Sequence, residues 1–360
     1  MTGRPNRVTL DPAAFAHNLA LVRGLLPPGT RIWQVVKGDG YGLGVTRAAD
    51  LGWQAGLRAF CAGTPDEALA LRASHPAARV LLFPSAAASD LPDLARQGIT
   101  VTAHDATSLD TLLRRTDNAG FLIKVDTGLH RYGFAPEDWP VALADLRASG
   151  HSGLQGIYTH FSQSRVAAGT DGPLVLFERF LTRAHQILGH RPPAMAAASP
   201  ALLAGSALTY PMVDPGRALY GMLPPDQAGG HVLRPVVSAI TSRLLDCRNI
   251  SPGDSIGYGP AAGAVSRIGA FPIGHFDGLP ASGPLGTVLI RGAEAPVLAR
   301  TLLASLVDLS AIPAAQTGDE VVLAGRSGDR HRDLFQLAQT LETSATMLHF
   351  GLVRALPKQG

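Results

Sequence analysis

Lysine is nearly missing from this 360-residue chain: only Lys37, Lys124 and Lys358 occur, and the rest of its 31 basic residues are arginine. A guanidinium stays protonated and cannot form a Schiff base, so any amine chemistry has few candidates. Lys358 is a weak one, because it lies in the terminal tail. Cysteine is equally scarce. Cys61 and Cys247 stand far apart, which excludes a disulfide framework and any cysteine-based metal spacing. Two isolated thiols fit a reducing, cytoplasmic compartment. No apolar run reaches the roughly 18 residues that a membrane-spanning helix needs. The opening MTGRPNRVTLDPAAFAHNLA has no apolar core of signal-peptide type. Acidic residues almost balance basic ones, 28 against 31. With no basic stripe along the sequence, neither nucleic acid nor a membrane is an expected partner.

What the chain does have is apolar mass. It is 46% hydrophobic and 16% charged, enough to fill two cores at this length. Short β-rich runs alternate with helical patterns through the first two thirds. The runs are Arg31–Val36, Arg58–Ala62, Arg79–Phe83, Thr100–Thr102, Phe121–Val125, Leu154–Thr159, Met195–Ala198 and Pro211–Val213. Thr64–Ser74 and Pro173–Leu188 read as helices by their apolar spacing. The class is α/β, and the units predict a (β/α)8 barrel over residues 9–233. An open doubly wound sheet is the runner-up, but short, evenly spaced units favour closure. Near Arg234 the character changes to strands with Gly/Pro turns. Val236–Leu245, Gly269–Ile273, Gly286–Ile290 and Glu320–Leu323 predict a mainly-β domain over residues 234–360, which residues 1–8 could join. A late helix over Arg332–Glu342 is expected to precede a final strand.

Barrel chemistry sits where strands end. Those positions carry Lys37 followed by GDGYGLG with Tyr41, then Lys124, Asp126, His130 and Arg131 in KVDTGLHRYGF. His160 follows in YTHFS, then Ser199, then Asp214 and Arg217 in VDPGRALYG. Each has an ordinary alternative. A strand-end lysine is usually solvated, Arg131 could pair with Asp126, His160 could be structural, and Ser199 before Pro200 could cap a helix. The functional reading rests on the set.

These residues carry a family resemblance that spans essentially the whole chain. VVKGDGYGLG resembles the cofactor-lysine motif of alanine racemases, and VDTGLHRYGF resembles their second hallmark. GIYTHFS, MVDPGRALYG, IGYG and PIGHFDG continue in family order. The resemblance implies a fold-type III pyridoxal 5′-phosphate (PLP) enzyme. It implies an N-terminal barrel, a C-terminal β-domain, and a head-to-tail homodimer with composite sites. Its substrate would be a small amino acid, alanine or a relative. By this resemblance Lys37 holds PLP as a Schiff base and serves as one base, and Tyr258 is the second, donated across the dimer. Arg131 and His160 lie beside that tyrosine, and Arg131 also faces the cofactor and the substrate carboxylate. Tyr41, Ser199, Gly216 and the backbone at Arg217 surround the phosphate. Lys124 matches a lysine that is carbamylated in several members and orients the arginine.

The chain departs from the family at informative points. Asp214 stands where an arginine normally meets the pyridine nitrogen, and a carboxylate there favours a protonated ring and a stronger electron sink. His275 replaces the tyrosine of PIGYADG, Leu303-Ala304 replaces a Met-Asp pair, and Phe350 replaces a phosphate-binding tyrosine. His275 and Leu303 therefore line the expected substrate pocket. These departures leave two alternatives to an alanine-type racemase. One is a same-fold enzyme of a specialised pathway with another substrate or altered α-carbon chemistry. The other is a non-catalytic PLP-binding protein, against which the retention of Tyr258 argues.

Overall fold

The computed structural model describes residues 3–116, 118–161, 167–196, 199–204, 210–258 and 263–359. The strand expected over Met195–Ala198 therefore lies partly outside the described residues, as do Ser162 of YTHFS and Gly259 of IGYG. The chain divides into two compact units. One is Ala13–Arg234, and the other is Pro235–Gly360 together with the segment up to Pro12.

In the first unit parallel strands close on themselves. Gln34–Val35 pairs with Ala59–Ala62, which pairs with Arg79–Leu82. A parallel bridge from Leu81 to Thr100 carries the ring to Val101–Ala103. Phe121–Lys124, Leu154–Tyr158, Ala194–Met195 and Met212–Val213 follow in order. Met212–Val213 pairs with Arg31–Ile32, and the barrel is complete. The first strand is interrupted at Trp33, whose amide still donates to the Val213 carbonyl at 2.8 Å. Parallel strands need crossovers, which here are helices such as Val45–Gln54, Pro65–Ser74, Ala106–Arg115 and Trp139–Ser149. Covered on both faces, Ala59–Ala62 and Phe121–Lys124 are buried throughout. That is why these strands read as unbroken apolar runs. Lys124 is the exception at the end of one of them. The helix expected from Thr64 begins at Pro65, because Thr64 is its cap. The Thr64 hydroxyl accepts from the Glu67 amide, and the Glu67 carboxylate accepts from the Thr64 amide.

The second unit is a ten-stranded sheet, antiparallel except where Arg7–Leu10 runs parallel to Lys358–Gln359. Arg7–Leu10 also pairs with Val237–Arg243, so the N-terminal strand belongs to this sheet. The hairpin Ala293–Arg300 and Ser305–Asp308 is absent from the sequence reading. Pro296 in mid-strand hides it, since proline normally argues against a strand interior. A second late helix, Ala345–Ala355, follows Leu334–Thr340 and starts at Ser344, whose hydroxyl accepts from the Met347 amide. The segment after the first late helix is thus helical before the final strand, and it carries Phe350. Among the described residues no helix is long and apolar enough to cross a membrane.

Candidate active site

Lys37 leaves the barrel just past its first strand. The Val36 amide donates to the Cys61 carbonyl at 2.9 Å, and the next residue is free of the ladder. The side chain needs Gly63: a Cβ there would lie 2.7 Å from the Lys37 Cβ. Lys37 is half-buried, with its Nζ 5.6 Å above the Phe83 ring. Burial lowers its pKa, Asp214 opposes that, and Arg131 and Arg217 add to it. More of the nucleophilic neutral amine is therefore present than on a surface lysine.

The following GDGY turns the wrong way for a helix of L-residues. Gly38, Asp39 and Gly40 have φ of 66°, 54° and 61°, and Tyr41 follows at 56°. The Gly42 amide closes the left-handed turn onto the Gly38 carbonyl at 2.9 Å. Each non-glycine residue there costs about 1–2 kcal/mol, so the alternating glycines halve the strain. What holds the turn is Glu67. One carboxylate oxygen accepts from the Asp39 amide at 2.7 Å, and the other accepts from the Gly63 amide at 2.7 Å and the Thr64 amide at 3.2 Å. Asp39 in turn accepts from the Val45 amide at 3.0 Å, starting the next helix. Glu67 is a positioning residue that the sequence reading missed. Its signal was the capping box Thr64–Glu67, which reads only as a helix start.

The turn aims Tyr41 into the barrel. Its ring lies 4.8 Å from Tyr220, and a Cβ on Gly216 would collide with its hydroxyl. Tyr220 is itself fixed, donating to the Val35 carbonyl at 3.0 Å and accepting from Gln34 Nε2 at 2.9 Å. Ser199 Oγ accepts from the amides of Gly216 and Ala218, both at 3.1 Å. Ser199 organises the Gly216 loop and keeps its hydroxyl proton for another acceptor. Gly216 contributes close approach, because its own amide is already engaged. Asp214 is buried, and its Oδ1 has no hydrogen-bond partner among the described residues. Burial raises its pKa to about 7 against the pull of Lys37 and Lys124.

Lys124 Nζ donates to the carbonyls of Arg131 and Tyr132 at 3.0 and 2.8 Å. These flank a loop in which His130 and Tyr132 hold φ of 55° and 56°. Burial lowers the Lys124 pKa to about 8. Asp126 does not pair with Arg131. Its Oδ1 accepts from the amides of Gly128, Leu129 and His130 at 3.0–3.1 Å, and its other oxygen lies 3.3 Å from the His130 ring. Arg131 is left exposed for another anion. His160 is driven down to a pKa of about 4, first by burial and then by Lys37, Arg131, Lys124 and Arg217, so it is neutral near pH 7. The barrel thus brings Lys37, Tyr41, Lys124, Arg131, His160, Ser199, Asp214, Gly216 and Arg217 to one mouth.

The other candidates belong to the second unit. Tyr258 is 97% exposed. Behind it Gly257 packs against Ala299, next to a hairpin tip that exposes Leu302 and Leu303. The amides of His275 and Phe276 donate to the Thr301 and Leu302 carbonyls at 3.0 and 2.9 Å, which joins exposed Phe276 to the same surface. His275 Nδ1 is buried with no hydrogen-bond partner among the described residues. Phe350 packs beside His349, ring centroids 6.0 Å apart.

Comparison with known proteins shows the family. The family model for the alanine racemase N-terminal domain matches residues 10–224, and that for the C-terminal domain matches 237–359. An alanine racemase from Pseudomonas entomophila is 32% identical over 334 residues, covering 90% of this chain and 91% of that relative. The crystal structure of alanine racemase from E. faecalis has a TM-score of 0.89 at 27% identity, covering 99% of this chain and 98% of that one. The alanine racemase from Bartonella henselae with covalently bound pyridoxal phosphate has a TM-score of 0.85 at 24% identity, covering 99% of each chain. By both domain models and by its curated relatives, the chain belongs to the alanine racemase family.

Proposed function

We propose that this protein is a cytoplasmic, PLP-dependent racemase that interconverts L- and D-alanine, working as a homodimer. The observation that carries the reading is Lys37, a half-buried amine with a lowered pKa among Asp214, Arg131 and Arg217. The residues present fit PLP. Among the described residues the Asp214 Oδ1 lacks a donor, which a protonated pyridine nitrogen would supply. Gly216, kept free of a Cβ beside the Tyr41 hydroxyl, and the Ser199 hydroxyl suit a phosphate. Both cysteines are free thiols, in keeping with a reducing compartment.

When bound, PLP supplies an aldehyde for amines and an electron sink for charge developing at the α-carbon. Lys37 holds the cofactor and moves the α-proton on one face. Arg131, free of Asp126, receives the substrate carboxylate. Tyr258 from a second copy moves the proton on the opposite face. A phenol ordinarily titrates near pH 10 and needs a nearby positive charge to act as a base. His160 is neutral and cannot provide it, so that role falls to Arg131. The exposed Tyr258, Phe276, Leu302 and Leu303 form the kind of apolar surface a second copy covers. His275 and Leu303 then border the substrate. One observation favours a second reading, altered α-carbon chemistry: the residue at position 214 is an aspartate, and its carboxylate would favour a protonated ring and a stronger sink, which permits keto-acid release.

Incubation of the PLP-loaded protein with L-alanine in D2O tests both. D-alanine carrying α-deuterium is the expected product, and the Lys37→Ala variant should make none and lose the lysine-linked cofactor absorbance. Pyruvate without D-alanine would establish the second reading. No exchange with either enantiomer would overturn both.

A further inference from the structure

At the other end of the same barrel, a cavity of about 500 Å³ gathers four arginines. Arg31, Arg58 and Arg79 stand at the starts of three adjacent strands, and Arg23 reaches in from the end of helix Pro12–Gly24. None of the lining residues is acidic, and Thr30 adds a hydroxyl. The four positions are scattered in sequence, so no basic stripe announced them. Two of the guanidiniums are already tethered. Arg23 donates to the Ala55 carbonyl at 3.0 Å. Arg58 donates to the Trp53 and Leu57 carbonyls at 2.9 and 2.7 Å and stacks 3.9 Å over the Trp53 ring. Although their backbone amides are in the barrel ladder, the guanidiniums of Arg31 and Arg79 make no hydrogen bond or ion pair among the described residues. They do feel each other: burial and then Arg79 lower the Arg31 pKa.

Arg23 and Arg58 have local partners, but no lining residue offers a counter-charge to Arg31 and Arg79, and like charges brought together cost energy. An anion removes the cost. Guanidinium forks match phosphate oxygens two at a time. The concavity has the size of a small-molecule site rather than of a duplex-binding face.

We propose that this cavity binds a small anion bearing a diphosphate group, at a site separate from the one around Lys37. Two open forks, Arg31 and Arg79, each take a phosphate, while tethered Arg23 and Arg58 add field without moving. The diphosphate can come free or as part of a nucleotide, and the two sources share this chemistry.

The test is calorimetric titration of the PLP-loaded enzyme, so that the cofactor fills the barrel mouth, at fixed ionic strength. The probes are inorganic pyrophosphate, ADP and inorganic monophosphate. Pyrophosphate should bind saturably at one site per chain, and monophosphate about tenfold more weakly or worse. ADP binding more tightly than pyrophosphate would identify a nucleotide, and equal or weaker binding would identify the free anion. Arg31→Gln/Arg79→Gln should weaken pyrophosphate about tenfold or more while leaving racemase activity unchanged. Without ligand, Arg79→Gln should melt no lower than the parent, because a repulsion is removed. Undiminished binding in the double variant, or no saturable binding of either diphosphate, would overturn the proposal.

Discussion

Replacing Asp214 by Asn in the cofactor-free protein should stabilise it, and increasingly so as pH rises. Below the ordinary carboxylate value of 3.8 the acid is protonated folded and unfolded, and it titrates in neither state. Between 3.8 and about 7 the folded chain keeps a proton that the unfolded chain releases. The folded state then binds more protons, so raising pH favours unfolding. Above about 7 the carboxylate is ionised in both states, and the penalty is fully developed. That interval corresponds to about 4 kcal/mol. Asparagine has the same shape and no titration. The gap in unfolding free energy between variant and parent should therefore grow by up to about 4 kcal/mol from about pH 4 to about pH 8. His160 pulls the other way over part of this range, since burial and its cationic neighbours hold it at about 4. It is present in both proteins and largely drops out of the difference. Urea unfolding at fixed protein concentration and several pH values measures the gap. A gap that stays flat across the range would refute the buried-acid reasoning.

Three further outcomes are expected. Tyr258→Phe should leave stability within about 0.5 kcal/mol, because it keeps the ring and removes only the hydroxyl. It should spare PLP absorbance and slow racemisation from one enantiomer more than the other; a matching loss of PLP affinity would contradict the assignment. Glu67→Ala strands the amides of Asp39, Gly63 and Thr64, and thermal unfolding should show a loss of about 2–4 kcal/mol. The turn after Lys37 should loosen, seen as a lower kcat with cofactor linkage kept and with partial rescue by Glu67→Gln. Gly216→Ala drives a methyl into the Tyr41 hydroxyl; it should cost about 1–3 kcal/mol and raise the PLP dissociation constant measured by absorbance titration.

The barrel was legible because its strands are short, doubly covered and punctuated by polar ends. Phe121–Lys124 shows all three features in four residues. The β-unit was harder to read. Ala293–Arg300 carries Pro296, and its neighbour Ser305–Asp308 is only alternately buried. The helix Ala345–Ala355 was missed although Ser344 caps it, because a strand was expected directly after the first late helix. Side-chain identities at the mouth could be read one by one, but their alliances could not. Arg131 and Asp126 invite pairing by spacing, yet three local amides take the carboxylate first. A backbone turn satisfies an aspartate at lower entropic cost than a long, mobile guanidinium does.

Glu67 shows where sequence patterns stop carrying information. Thr64 and Glu67 complete a capping box, and that pattern accounts for only part of the carboxylate. The oxygen that remains reaches the Asp39 amide, 28 residues upstream. That amide is available because Asp39 sits at φ 54°, inside a left-handed turn that two glycines make tolerable. The turn in turn fixes where Tyr41 points, and Tyr41 and Gly216 fit only because the latter has no side chain. Each step is a short-range rule, but their order depends on ring closure, which brings Gly63 beside Lys37 and places Met212–Val213 next to Arg31–Ile32. Closure is also what assembles Arg31, Arg58 and Arg79 at the far end. The strand that delivers an amine to one mouth delivers a guanidinium to the other, so both sites follow from one topology.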